Sequence, residues 1–416
     1  MRISVLIIFT SLLTFSAVNA QSSSAYSRYG LGDLDFGYSA KMLSIGDLGV
    51  TQLDPNHIII TNPASWSALT TTRAEFSLGY KGINISNSAD KVFSSETEFK
   101  GFTFGFPVSS DYGIGVAMGL VPFTRVSYKS IQNYESSDPA ISNYQVSYEG
   151  NGGLSKLFLG SSVKLPLGFF GGITLDYYFG NWNYYSNIIF NSSSSNINTN
   201  FDNNHRVTGF GSTFGIISPN LAEALNLSGF SDIRIGASVN YISDLNTDTL
   251  LTSTSISLVD TSAFSNTKIS IPARINAGIS FGFSDVYRVN LDYAYQPWSE
   301  FKLGGIENAN LRNSQKFSTA FEYIPVRRAG MSLWEQMVWR AGLSYEETQY
   351  KFGSTGINQY SAFGGFSFPM GIDNTIDLGI EYGIRGTEEN NLLKENFVKI
   401  YLGISFGELW FLRFQK

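Results

Sequence analysis

The feature that most restricts this chain is a period of two. Phe76, Leu78 and Tyr80 alternate with Glu75, Ser77 and Lys81, and Tyr287, Val289, Leu291, Tyr293 and Tyr295 alternate with Arg288, Asn290, Asp292 and Gln296. Ile376, Leu378, Ile380, Tyr382 and Ile384 do the same against Asp377, Glu381 and Arg385. Alternation at this period gives an extended strand one apolar and one polar face. Candidate strands fall near 74–85, 96–107, 111–129, 143–165, 170–190, 204–218 and 231–243, then near 268–283, 287–298, 314–325, 336–347, 357–369, 374–385 and 396–407. A water-soluble sandwich shows the same alternation, so the connections have to decide. They alternate between short turns, such as Ser109-Ser110 or Met370-Gly371-Ile372-Asp373, and longer polar stretches, such as 191–203, 244–267 and 386–395. Short turns on one side and long loops on the other are how an outer-membrane barrel is strung, here with about fourteen antiparallel strands.

Composition narrows the class further. Charged residues make up 15% of the chain and aromatics also 15%, with 41 glycines, a balance that suits aromatic girdles at the edges of an apolar band. No apolar run of spanning length occurs after the first twenty residues; the uncharged stretch 353–372 is broken by Ser, Gly, Asn and Gln. A helical membrane protein is therefore excluded. The absence of cysteine excludes a disulfide-stapled module, and a net charge of −6 without a basic stripe excludes a nucleic-acid partner.

The chain opens with Met1-Arg2, an apolar run from Ile3 to Phe15 and Ser16-Ala17-Val18-Asn19-Ala20. That order describes a Sec signal peptide (1–20) cleaved after Ala20, and no cysteine follows to carry a lipid. Residues 21–70 are irregular and rich in Gly, Asp, Asn and Pro, which reads as a hatch inside the barrel of residues 71–407; residues 408–416 read as a periplasmic tail. Two strand interiors break the pattern. The third carries Gly119-Leu120-Val121-Pro122-Phe123 and the fourth Gly150-Asn151-Gly152-Gly153. Each reads either as a bulge that curves the wall or as a kink that opens it.

Three motifs resemble the long-chain fatty-acid transporter (FadL/OmpP1-like) barrels: Asn62-Pro63-Ala64 before the first strand, the proline-broken third strand, and Ile271-Pro272-Ala273-Arg274 paired with Asp292-Tyr293-Ala294-Tyr295-Gln296-Pro297-Trp298 in the next. The last strand followed by Glu408-Leu409-Trp410-Phe411 looks like Bacteroidetes members of that group. The resemblance implies an outer-membrane barrel plugged by its N-terminus, with passive uptake of hydrophobic small molecules such as fatty acids through a gap beside the third strand. On that basis Asn62, Pro63 and Ala64 are hatch residues, and Gly119 and Pro122 mark the kink. Leu34, Phe36, Met42 and Leu43 are candidates for an apolar path, beside the plainer reading that they pack the hatch against the wall. The same group also implies an alternative, a non-transporting structural or adaptor subunit of a larger outer-membrane secretion or barrel-assembly complex.

Catalysis finds no support in the residues. The two histidines, His57 and His205, stand in no serine-containing constellation, no spacing fits a metal site, and the glycines do not open a helix as a nucleotide loop does. No cofactor is expected. The bilayer is the expected partner, with a hydrophobic ligand or other outer-membrane proteins as the further ones. The inward charges Arg288, Asp292, Glu322, Arg340, Glu381 and Arg385 are expected to pair and fix the hatch rather than anchor a head group, because an unpaired buried charge is costly.

Overall fold

Alternating sequences of this kind pair edge to edge, and in the computed structural model they close on themselves. The structure describes residues 24–408, apart from 89, 136–141, 192–196, 256–257, 329 and 372. The expected leader and cleavage point, the polar run 192–196 and the residues from 409 onward lie outside the described residues. The wall is a closed barrel of 14 antiparallel strands. These are β1 (Thr72–Ser86), β2 (Lys91–Ser109), β3 (Ile114–Tyr134), β4 (Tyr144–Lys164), β5 (Phe170–Phe190) and β6 (Thr199–Ile217). There follow β7 (Asp232–Ile242, resuming as Leu245–Ser255), β8 (Val259–Ser270, resuming as Arg274–Phe283), β9 (Tyr287–Gln296) and β10 (Ser314–Tyr323). The last are β11 (Val338–Phe352), β12 (Thr355–Met370), β13 (Asn374–Gly386) and β14 (Lys394–Glu408), and β14 closes the ring on β1 from Glu408↔Thr72 to Lys394↔Ser86.

One expectation fails. The polar stretch 244–267 is not a loop: Leu245–Ser255 and Val259–Ser270 form a hairpin that pairs with the upper half of β6. Its alternating threonines (Thr247, Thr249, Thr252, Thr254) favour extended backbone, yet neither face is apolar enough to show the period.

That hairpin belongs to a tall side of the barrel. β3, β4 and β5 each run 21 residues, about twice what a membrane crossing needs. Their lower outward residues are apolar and exposed, among them Met118, Leu120, Leu157, Leu159 and Leu175. Higher up the outward face turns polar, with Asn151, Asn183 and Asn204 hydrogen-bonded in a ladder and Lys129 3.7 Å from Glu149. Such a face does not sit in hydrocarbon, so the upper sheet stands clear of the membrane. The change falls where the strands bend. Phe123 bulges between the Pro122↔Ser155 and Thr124↔Leu154 pairs, and Gly152, Gly153 and Gly180 take positive φ beside it. The glycine-rich break in β4 is thus a bend.

Residues 24–69 are largely buried and bond to strands around the ring, among them β1, β3, β6, β7, β9, β10, β13 and β14. Two packed cores result. In the upper one, Tyr26 and Leu31 of the inner segment meet Phe123, Tyr178, Trp182 and Tyr350 of the wall, and Trp298 and Phe301 from the connection after β9. In the lower, Met42, Ile45, Ile58 and Trp66 meet Val121, Phe158 and Phe363.

Candidate functional site

The inner segment is held by local rules first. Ser39 caps the short helix Ala40–Leu43 by accepting from the Met42 amide at 3.1 Å, and Asn62 caps the 3-10 turn Pro63–Ala68, whose first residue is proline. Asn62 is fully buried, and its Nδ2 donates to the carbonyls of Val50 (2.8 Å), Ile216 (3.2 Å) and Ala237 (3.3 Å), so it ties the segment to β6 and β7. Two wall glycines make room for this motif. A β-carbon on Gly215 would lie 1.9 Å from Asn62 Oδ1, and one on Gly172 would lie 2.4 Å from the Pro63 carbonyl carbon.

Charges provide the rest of the attachment. Arg385 donates to Asp33 Oδ1 at 3.0 Å, to Ser24 Oγ at 2.5 Å and to Glu395 at 2.5–2.7 Å. Lys100 binds Asp35 and Glu98, and Lys316 lies 3.3 Å from Asp47. Asp292 accepts from the amides of Gly49 and Val50, each at 3.2 Å. Lower down, His57 stands between two carboxylates, with Nδ1 3.1 Å from Asp54 and Nε2 3.0 Å from Asp377. Beyond them the chain of contacts continues through Ser367 to Arg340, Glu322 and Gln52. Burial alone would lower the His57 pKa, but Asp377 and Asp54 override it and raise it to about 9. Asp54 is itself buried, which would raise its pKa, yet Lys41 and His57 hold it well below the usual carboxylate range. Of the inward charges read from the sequence, Glu322 pairs with Arg340, Glu381 with Lys399 at 2.8 Å, and Arg385 with Asp33 and Glu395. Arg288 faces Glu322 in register.

The third strand does more than bulge. β2 and β3 pair only from Phe102↔Leu120 downward; above that level they separate into a fork. The inner segment covers the β3 side of this fork. Asp33 and Leu34 pair with Arg125 and Thr124, the Asp35 amide donates to Phe123 O at 3.0 Å, and the Ser24 amide donates to Ser127 O at 3.2 Å. Arg125 reaches across to Glu96 (2.8 Å) and Glu98 (3.5 Å) of β2. Gly119 lies just below the fork, with Phe102 O and the Phe158 ring where a side chain would go, and Pro122 lies at its base.

Two small spaces remain behind the fork. One, about 50 Å³, is lined by Phe36, Tyr38, Pro122, Phe123, Tyr178 and Arg274 among others; the Arg274 guanidinium sits 3.4 Å over the Phe36 ring. The other, about 90 Å³, is lined by charged groups including Asp33, Lys81, Glu98, Lys100, Arg125 and Lys399. Leu34 and Phe36 border these spaces. Met42 and Leu43 do not: Met42 is in the lower core and Leu43 packs on Ala40 and Tyr401. A far larger concavity, about 940 Å³, lies elsewhere, on the lipid-facing side across Leu291, Thr319, Leu343, Ala362 and Tyr382, and is not part of the lumen. Among the described residues no group of three or more His, Cys, Asp or Glu is arranged to hold a metal ion. His205 bonds Thr249 at 2.9 Å.

The barrel resembles solved structures at low sequence identity. A Pseudomonas aeruginosa FadL homologue aligns with a TM-score of 0.63 at 12% identity, covering 88% of this chain and 98% of that one. The Pseudomonas putida toluene transporter TodX aligns at 0.59 and 15%, covering 92% and 100%. The Ralstonia pickettii toluene transporter TbuX aligns at 0.54 and 14%, covering 94% and 99%. At these identities the likeness is one of fold. No curated protein matches the chain in sequence. A family model described as BamG matches residues 1–415, essentially the whole sequence, and the chain therefore belongs to the BamG family.

Proposed function

We propose that this protein is a non-conducting, non-catalytic barrel subunit of a larger outer-membrane assembly that secretes or inserts proteins, exported by its leader and sealed by residues 24–69. The observation that carries this reading is the upper core. A path for apolar solutes needs an open, apolar pocket of some hundreds of Å³. Where it would enter, Trp182, Trp298, Tyr178 and Tyr350 are instead almost wholly buried, in one core with Tyr26 and Leu31 of the inner segment. The spaces described behind the fork measure about 50 and 90 Å³, room for a few waters. The family name BamG is in keeping with association with other outer-membrane proteins.

A second reading, passive uptake of hydrophobic compounds, is favoured by the fork beside Pro122 and by the shared fold with hydrocarbon channels. Fatty acids are one candidate substrate class for it, and Leu34 and Phe36 are the path candidates that border the fork. The two readings part in a flux experiment. Purified protein in planar bilayers is expected to give no steady ion conductance, and in liposomes no uptake of toluene or oleate above protein-free vesicles. Saturable uptake of either compound would overturn the sealed-subunit reading.

A further inference from the structure

The fork has two sides, and the chain covers only one of them. On β3 the inner segment supplies backbone partners from Phe123 to Ser127. On β2, from Lys91 to Gly101, the side facing β3 makes no backbone hydrogen bond among the described residues, while the other side pairs with β1 from Ser86↔Lys91 to Ser77↔Gly101, with a bulge at Lys100. This leaves an open strand edge of roughly eleven residues, the length of one membrane-crossing strand.

Depth makes that edge significant. Lipid-facing Phe99 is opposite Leu78, and lipid-facing Thr97 is opposite Tyr80, so the lower part of the edge lies level with the apolar band of β1. An unpaired strand edge is a template for another strand, and in hydrocarbon no water satisfies its amides and carbonyls. The two rows of side chains restrict what fits. Outward, Phe93, Thr97, Phe99 and Phe102 call for a neighbour with apolar residues facing lipid. Inward, Glu96, Glu98 and Lys100 are already engaged by Arg125 and Asp35, so a neighbour must present small or polar residues there. Apolar outside and small or polar inside, at a period of two, is the pattern of a strand from another barrel.

We propose that the β2 edge Lys91–Gly101 docks a β-strand of a second, different outer-membrane barrel protein, which adds to the wall by backbone pairing. This rests on the reading of the protein as a subunit of an assembly and names the surface that assembly uses. A free lipid supplies no matching ladder of donors and acceptors, and a membrane helix has no backbone groups to spare.

The test places a photoreactive phenylalanine analogue at Ser95 or Thr97, on the lipid-facing side of the edge, and at Leu343, on the lipid-facing side of β11. Irradiation is done in intact outer membranes, on variants shown to be folded by heat-modifiable gel migration. The expected result is an adduct at Ser95 and Thr97, absent at Leu343, whose cross-linked peptide maps by mass spectrometry to an alternating strand of one other barrel protein. Adducts to lipid alone, or to a second copy of this chain, overturn the proposal. A barrel partner captured at Leu343 and not at Ser95 or Thr97 overturns the docking edge but leaves the subunit reading standing. Absence of any barrel partner at all three positions, with none co-extracted, removes both.

Discussion

Replacing Arg385 with alanine is expected to cost the folded protein about 3–5 kcal/mol, because it leaves buried carboxylates without their counter-charge. The guanidinium is in contact with Asp33, Glu395 and Ser24 at once, and Glu395 and Ser24 are completely buried. Glu395 would retain only the Ser24 hydroxyl and the Ala25 amide as donors. Asp33 would retain Tyr350 at 2.9 Å and Lys81 at 3.5 Å. Burial alone would raise the Asp33 pKa, and Arg385 and Lys81 together hold it far below the ordinary carboxylate range; much of that hold goes with the arginine. The loss is read by urea unfolding in lipid vesicles, followed by tryptophan fluorescence. Because both carboxylates anchor the start of the inner segment, limited trypsin treatment should also cut faster at Arg28, which is exposed. Lys268→Ala is the comparison. Its contact with Asp244 is 4.0 Å long and on the surface, and the change is expected to stay within about 0.5 kcal/mol. If the two variants unfold alike, the charged attachment described above carries little of the stability.

A pH dependence follows from His57. Its folded pKa, about 9, is above the ordinary value of 6.5. The stability it contributes is therefore complete below pH 6.5 and is lost as pH rises through 9. The shift corresponds to about 3 kcal/mol. The facing groups are Asp54, Asp377, Lys41 behind Asp54, and Glu75, which accepts from the Ile58 amide at 2.9 Å. Wild-type protein is expected to weaken by that amount between pH 6.5 and 9.5 in the same unfolding assay, and His57→Gln, which carries no titrating ring, to be flat over the window. An equal slope in both would place the titration elsewhere.

Much of this architecture is legible in the chain. The strands with one apolar face, such as β9 and β13, show their period directly, and the turn-and-loop rhythm gives the barrel. The inner segment stands out because residues 24–69 lack any period. Pairing of the inward charges also follows from the cost of leaving them alone, as Arg385 with Asp33 shows, but Asp292 departs from it and is bonded by the Gly49 and Val50 amides instead. What the chain hides is non-local. Nothing near Gly215 or Gly172 announces that Asn62 and Pro63 will press against them. Pro122 marks a break in β3, but that pairing with β2 ends at Phe102↔Leu120 depends on register, which no single strand encodes. The hairpin 245–270 is hidden for another reason. Leu245 and Ile269 at its base join the upper core, but along the rest the inward positions are threonine as often as apolar, so no apolar face shows as a period.

The bend in β3–β5 sits where the outward face turns from leucine to asparagine, and the fork opens just below it, where Leu120 still faces lipid. Below it the barrel is a continuous wall. Above it β2 and β3 part, and the N-terminal arm, not the neighbouring strand, completes β3. A conduit and a sealed subunit share this scaffold; the packing of Trp182, Trp298, Tyr178 and Tyr350 is what separates them.

The most direct test is native mass spectrometry of the protein extracted gently from its own outer membrane. The sealed-subunit account predicts a complex of fixed stoichiometry with at least one other outer-membrane protein, and no bound amphiphile on this chain. Emergence as a lone barrel carrying a fatty acid or a similar hydrophobic molecule would contradict it and make uptake the working model.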